Sequence, residues 1–238
     1  MSAQPIAQRR GFVAALMAQV SSYVLEPLAE EQIEATEPAE LVAHPVIAVV
    51  PAAPRSGATT VARLLAAELA FRCEGAAVVA GPGGWGRRAA PASRAAARVA
   101  TALGSLPGAV RATGRLCLVG GLEAPRVVAA ARYLAPVVLD QPADGTGLAA
   151  ARQADRCVIV ASAAQEPALA DAVAVVLGGQ PVKVVTRAGD AEAWEGRAEV
   201  VVPDARIAVR AALTGTRPLG ALGAAISELA DAVGVKVR

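Results

Sequence analysis

Histidine is almost missing from this 238-residue chain: His44 is the only one, which sets aside a histidine-based triad and a multi-histidine metal site. Aromatic residues make up only 3% of the sequence. That favours a layered helix-on-sheet protein over an aromatic-rich binding surface. Cysteine is scarce too. Cys73, Cys117 and Cys157 lie far apart, in odd number and without C-x-x-C spacing. This argues against a disulfide frame or a metal cluster and for small buried hydrophobes in a reducing compartment. No apolar run approaches the roughly 20 residues that a membrane-spanning helix needs. The segment from Gln8 to Val13 resembles a twin-arginine export signal, but Gln19, Ser21 and Ser22 interrupt the following apolar run and no small-residue cleavage site appears. A cytoplasmic protein is the expectation. Net charge is only +2, too little to imply nucleic acid by itself. Arginine supplies 21 of the 23 basic residues, a codon habit of a GC-rich genome or, as the functional alternative, a source of phosphate-binding forks.

What the chain does have is apolar bulk, 55% of it, mostly Ala, Val and Leu. Residues 1–44 read as an appendage, in which Phe12, Leu16, Val20, Tyr23 or Val24 and Leu28 recur at helical spacing before an acidic stretch from Glu26 to Glu40. That helix reads as packed on its own domain or as a partner-docking or membrane-surface element. Residues 45–238 alternate in the manner of a parallel sheet. Strands are expected at Val46–Val50, Ala76–Ala80, Leu116–Val119, Val137–Leu139, Cys157–Ala161, Val182–Val185 and Val200–Val202. Helices are expected at Thr59–Arg72, Ala92–Leu103, Pro125–Leu134, Glu166–Leu177, Ile207–Thr214 and Leu219–Val233. Short apolar strands without alternation belong in a sheet covered on both faces. The expected fold is therefore α/β: a doubly wound, mostly parallel sheet in three layers, with its ligand beyond the carboxyl ends of the strands.

One segment points at such a ligand. Val46–Val50 leads into Pro51-Ala-Ala-Pro-Arg-Ser-Gly-Ala-Thr-Thr60 and then a helical run. A buried strand, a small-residue loop and a helix that opens on two threonines is how a nucleotide phosphate is cradled. Backbone N–H groups face the anion, the helix N-terminus adds positive potential and a hydroxyl reaches Mg²⁺. Against the pattern G-x-x-x-x-G-K-[ST], Gly57 and Thr59 are retained, while Ala52 and Ala58 stand in for the first glycine and the lysine.

Taken together, four landmarks resemble the ParA/MinD family of P-loop ATPases, over about residues 45–235. Ser56-Gly-Ala-Thr-Thr-Val-Ala-Arg-Leu-Leu-Ala66 is similar to the family's G-K-T-T-x-A-x-N-L-A helix opening. Pro136-Val-Val-Leu-Asp-Gln-Pro-Ala-Asp-Gly145 is similar to its strand ending in D-x-P-A-G. Ala154–Ala161 followed by Glu166-Pro-Ala-Leu, and Val201-Val-Pro-Asp204 through Pro218, follow its later strand and terminal segment. The resemblance implies a P-loop fold, ATP or ADP with Mg²⁺ as cofactor, face-to-face dimers and protein partners. It assigns the nucleotide cradle to Arg55, Ser56, Gly57, Ala58, Thr59 and Thr60, the Mg²⁺ to Thr59 and Asp140, and the switch carboxylate to Asp140.

The departures from that family are concentrated in its charges. Ala58 replaces the lysine that reaches the β- and γ-phosphates, and Ala53 replaces the signature lysine contributed across a dimer. Gly81 and Gly83 fall where carboxylates orient water and metal, and Thr186 falls where an asparagine reads adenine. Phosphoryl transfer is catalysed mainly by positioning and charge. Removing one preorganised donor commonly costs about 10²–10³ in rate. The expectation is a degenerate, weakly hydrolysing or non-hydrolysing scaffold or positioning factor for partition, polar or pilus-type assembly, with the cofactor pocket filled by a nucleotide or by none. The alternative is a working ATPase in which Arg55 substitutes for the lysines. The loop Gly81–Arg88 reads as a solvated basic loop, or as a contact patch for a partner, an anionic lipid or DNA. Asp140, Asp144 and Glu166 stand as solvated loop-end acids or, alternatively, a metal cluster.

Overall fold

In the computed structural model the described residues are 42–81, 90–186 and 192–234. The expected appendage of residues 1–44, with its helix and acidic linker, therefore lies outside the described residues, apart from residues 42–44, which have no regular structure. So do the core of the basic loop and the segment 187–191.

Eight strands form one sheet: β1 (Val46–Pro51), β2 (Ala77–Gly81), β3 (Ala109–Thr113), β4 (Leu116–Gly120), β5 (Val137–Asp140), β6 (Arg156–Ser162), β7 (Val182–Thr186) and β8 (Val200–Val202). Their order across the sheet is β3-β4-β2-β5-β1-β6-β7-β8. Every pairing is parallel except β3 with β4. Among the described residues seven helices connect or close the strands: α1 (Ala58–Arg72), α2 (Arg94–Leu103), α3 (Ala124–Ala131), α4 (Gly145–Ala151), α5 (Pro167–Leu177), α6 (Arg206–Thr214) and α7 (Gly220–Ala232).

The strand pattern dictates two cores. Successive residues of β1 point to opposite faces. Ile47 and Val49 join a cluster with α1, α6 and α7, while Val46, Ala48 and Val50 join a second cluster with α2, α3, α4 and α5. Both faces are covered, so the central strands are apolar along most of their length. This is the expected doubly wound, three-layer α/β fold. Helix α1 is buried around most of its circumference because α6 and α7 cover it from outside.

Three elements escape the sequence reading. Strand β3 is an edge strand whose residues are mostly half-exposed, so Ala109-Val-Arg-Ala-Thr113 carries little apolar signal. It hairpins into β4 through Gly114 and Arg115, with Gly114 at φ 53° and its Cα packed against the Thr214 carbonyl. Helix α4 contains two glycines, poor helix formers. It is held instead by Asp144, whose side chain accepts from the Gly147 N–H at 2.8 Å. A 3₁₀ turn at Glu192–Trp194 carries the fully buried Trp194.

Candidate functional site: a phosphate cradle at the head of α1

The cradle lies where β1 ends and α1 begins, beyond the carboxyl ends of the central strands. Pro51, Pro54, Arg55, Ser56, Gly57, Ala58, Thr59, Thr60, Asp140, Gln141 and Pro142 line a cleft of about 310 Å³. All six residues expected to hold the cofactor are thus brought together, with Asp140 beside them. Gly57 caps α1 in the left-handed region, φ 89°, and no side chain caps the helix. The first-turn N–H groups of a helix have no intrahelical partner, so an uncapped N-terminus offers donors and positive potential to an anion. Arg55 is exposed and also left-handed, φ 65°, a conformation costly for a residue with a Cβ.

The loop is tied down from the β6–β7 side. The Thr186 hydroxyl donates to the Ser56 carbonyl at 2.6 Å, and Gln165 Nε2 donates to the Pro54 carbonyl at 3.2 Å. Gln165 is oriented in turn by the Ser162 N–H, which donates to its Oε1, and its own carbonyl accepts from Trp194 Nε1. Thr186, expected at the adenine-reading position, therefore has its hydroxyl committed to the phosphate loop. Gln165 is a loop-holding residue that the sequence reading missed; its signal would have been a side-chain amide two residues before α5. Ser56 is 1% exposed and its hydroxyl has no hydrogen-bond partner. A buried orphan hydroxyl in a cradle wall suits an anionic oxygen.

The metal position is different. Asp140 closes β5, paired in register with Val49, and is only 7% exposed. Burial pushes its carboxyl above the ordinary carboxylate range, against a hydrogen bond from Thr59 and the charge of Arg63. The two groups expected to share a Mg²⁺ both line the cleft. Arg63, which the sequence reading passed over, lies one turn after Thr59 on α1 and is 5% exposed. Burial pulls its guanidinium down and Asp140 pushes it back up. Gly81 abuts Asp140 from β2: a Cβ there would stand 3.0 Å from the Asp140 Cβ and carbonyl oxygen and 3.3 Å from Oδ2. A second acid has no room at that place; Gly83 lies outside the described residues. Among the described residues no group of three or more His, Cys, Asp or Glu could hold a metal, so Asp140, Asp144 and Glu166 do not form a cluster. Asp144 is spent on capping α4. A phosphate group fits the backbone cradle, and Thr59 and Asp140 on the same cleft are the residues that would hold a Mg²⁺ together with phosphate oxygens and waters.

Neither a protein-family model nor a curated protein matches the chain. Solved structures do. The ParA family ATPase of Chlorobium tepidum superposes with a TM-score of 0.56 at 19% identity, covering 79% of this chain and 98% of that one. The chain has the ParA/MinD fold. MinD of Pyrococcus horikoshii, solved with Mg-ADP, gives a TM-score of 0.55 at 15% identity over 81% of this chain and 96% of its own. MinD in the MinC:MinD cell division complex of Aquifex aeolicus gives 0.55 at 14% identity, with coverages of 81% and 96%. No helix among the described residues is long and apolar enough to cross a membrane.

Proposed function

We propose that this chain is a ParA/MinD-type positioning or assembly factor that acts through protein partners and hydrolyses ATP weakly or not at all. The observation that carries this reading is Ala58 at the first position of α1, buried in the cradle where a lysine would face the phosphates. The charge left in the described lining is one exposed arginine, Arg55, and one carboxylate, Asp140. A triphosphate that loses its γ-phosphoryl spreads negative charge over three oxygens, and stabilising that charge is most of what such enzymes do. An uncapped helix and an orphan serine bind a phosphate but do little to cleave it.

The binding side of the family's work stays supported. A MinD of this fold holds Mg-ADP and another is assembled with MinC. By extension the cradle takes ADP or ATP, and the chain docks a protein partner in the cytoplasm, at the cell pole or at the membrane periphery, as a monomer or as a homodimer that nucleotide does not gate. The test is phosphate release from Mg·ATP by the purified full chain, with Arg55→Ala and Thr59→Ala beside it. The expected outcome is release at background in all three proteins. Turnover by the wild type that disappears in both variants would replace this reading with that of a working ATPase built on Arg55.

A further inference from the structure

We propose that the groove between α3 and α4 is a second binding site, which takes a small monocarboxylate with an apolar body and holds its charge at Arg132. The site is separate from the phosphate cradle and does not depend on it.

The groove follows from the size of the side chains that face it. Ala124, Val128 and Arg132 recur at four-residue spacing along α3 and its C-cap, and Ala149 and Ala150 of α4 line the opposite wall. Packed helices fill the space between them with interlocking side chains. Methyl groups at 124, 129, 149 and 150 leave it open. Two adjoining spaces result. One of about 620 Å³ lies at the carboxyl ends of β2 and β5 and meets the cradle at Gln141 and Pro142. The other, about 260 Å³, shares Ala124, Pro125, Ala150 and Gln153 with the first and has Leu139 and Arg132 in its walls. Small-molecule pockets have this order of size and this mostly apolar lining.

Charge selects the occupant. Arg132 Nε is buried and, among the described residues, has no hydrogen-bond partner. Its Cζ lies 6.0 Å from the centroid of the Tyr133 ring. A buried donor left unmet is costly, and one in the wall of an open groove is met by what enters. Gln153, on the same small space, brings a side-chain amide with two further N–H donors. A guanidinium and an amide on one small space suit a carboxylate, whose two oxygens accept from both. The larger space is polarised the other way. Glu123 is the one acid on either lining among the described residues, and it lines only that space. A second negative group there would be repelled. Leu122, Pro125 and Val128 offer apolar contact between the two ends. The occupant is therefore an amphiphile with one carboxylate, seated with its charge at Arg132 and its body towards the larger space.

The test is calorimetric titration of the full chain with octanoate. Beside it run 1-octanol, which has the body without the charge, acetate, which has the charge without the body, and octanedioate, which carries a second carboxylate. Saturable octanoate binding is expected, with each of the other three weaker by about tenfold or more. Arg132→Met is expected to weaken octanoate about tenfold, and Ala150→Leu, which fills the groove, to abolish its binding. Arg132→Gln replaces Arg132→Met if the latter does not fold. Glu123→Gln is expected to bring octanedioate to within about twofold of octanoate, and saturating inorganic pyrophosphate to leave octanoate affinity within about twofold. The proposal is overturned if wild type shows no saturable octanoate binding, or if Arg132→Met and Ala150→Leu both bind it as wild type does. It is equally overturned if pyrophosphate displaces octanoate, which would put the carboxylate in the cradle. Pyrophosphate that fails to bind at all would instead overturn the reading of the cradle and leave this one standing.

Discussion

Helix α1 carries a charged site at each end, and the two are built on opposite principles. At its C-terminal end Glu68, 1% exposed, is gripped by Arg217 through Nε at 2.6 Å and NH2 at 3.2 Å, and by Arg72 Nε at 3.0 Å. Arg72 goes on to Asp231 and to the Ser227 carbonyl and hydroxyl on α7. The Arg217 guanidinium lies over the Phe71 ring at 4.0 Å from its centroid. Every charge there has a partner with hydrogen-bond geometry, and the cluster fastens α1 to α7 and to the segment before it. At the N-terminal end the hydroxyl of Ser56 is unmatched and the helix is uncapped. One end is finished as structure. The other keeps the unsatisfied donors of a binding site.

The contrast is broken most severely by Glu68→Ala. Removing one partner of a buried ionic cluster leaves its cations uncompensated, at a cost of about 3–5 kcal/mol. The low end of that range is expected because the Arg217 side chain is 36% exposed. Urea denaturation should show the midpoint falling with little change in slope. No substitution at the cradle should match it.

Acid gives a smaller and separable effect. Burial alone would raise the Glu68 pKa, but the hydrogen bonds from Arg217 and Arg72 outweigh burial and hold it below its ordinary value. A depressed carboxylate contributes stability that is complete above its unfolded pKa, about 4.3, and is lost as pH falls through the lower folded value. Wild type should therefore lose stability more steeply than Glu68→Gln below about pH 4.5. Parallel curves for the two proteins would show that the cluster does not hold the proton off.

Ser56→Ala is the finest probe and should move stability the other way. A buried hydroxyl without a partner costs about 1–3 kcal/mol on mutational scales, so its removal should raise the unfolding free energy of the ligand-free protein by about 1 kcal/mol and move the urea midpoint upward. A loss of stability instead would mean that the hydroxyl is satisfied within the fold and is not reserved for an anion.

Much of this was legible in the sequence, for identifiable reasons. The central strands stood out because both faces are buried, which leaves unbroken apolar runs such as Val46–Val50. The cradle stood out because Gly57, Thr59 and Thr60 sit at a strand-to-helix junction, and Asp140 because it terminates an apolar strand. Arg63 and Glu68 did not. A charged residue inside a helical run reads as surface, and only the covering of α1 by α6 and α7 turns those positions inward. Gln165 was hidden because its role is a contact across 111 residues of chain. Edge strand β3 and glycine-containing α4 were invisible because hairpin and cap geometry hold them, rather than apolar periodicity.

The mooring of the phosphate loop has its own consequence. With the Pro54 and Ser56 carbonyls each roped to a neighbouring strand or turn, the loop has little slack through which to register that an anion has arrived. A switch must have somewhere to go. Here an incoming phosphate finds a seat already shaped, and any strain it brings falls first on Gln165 and Thr186, the two side chains that hold the loop.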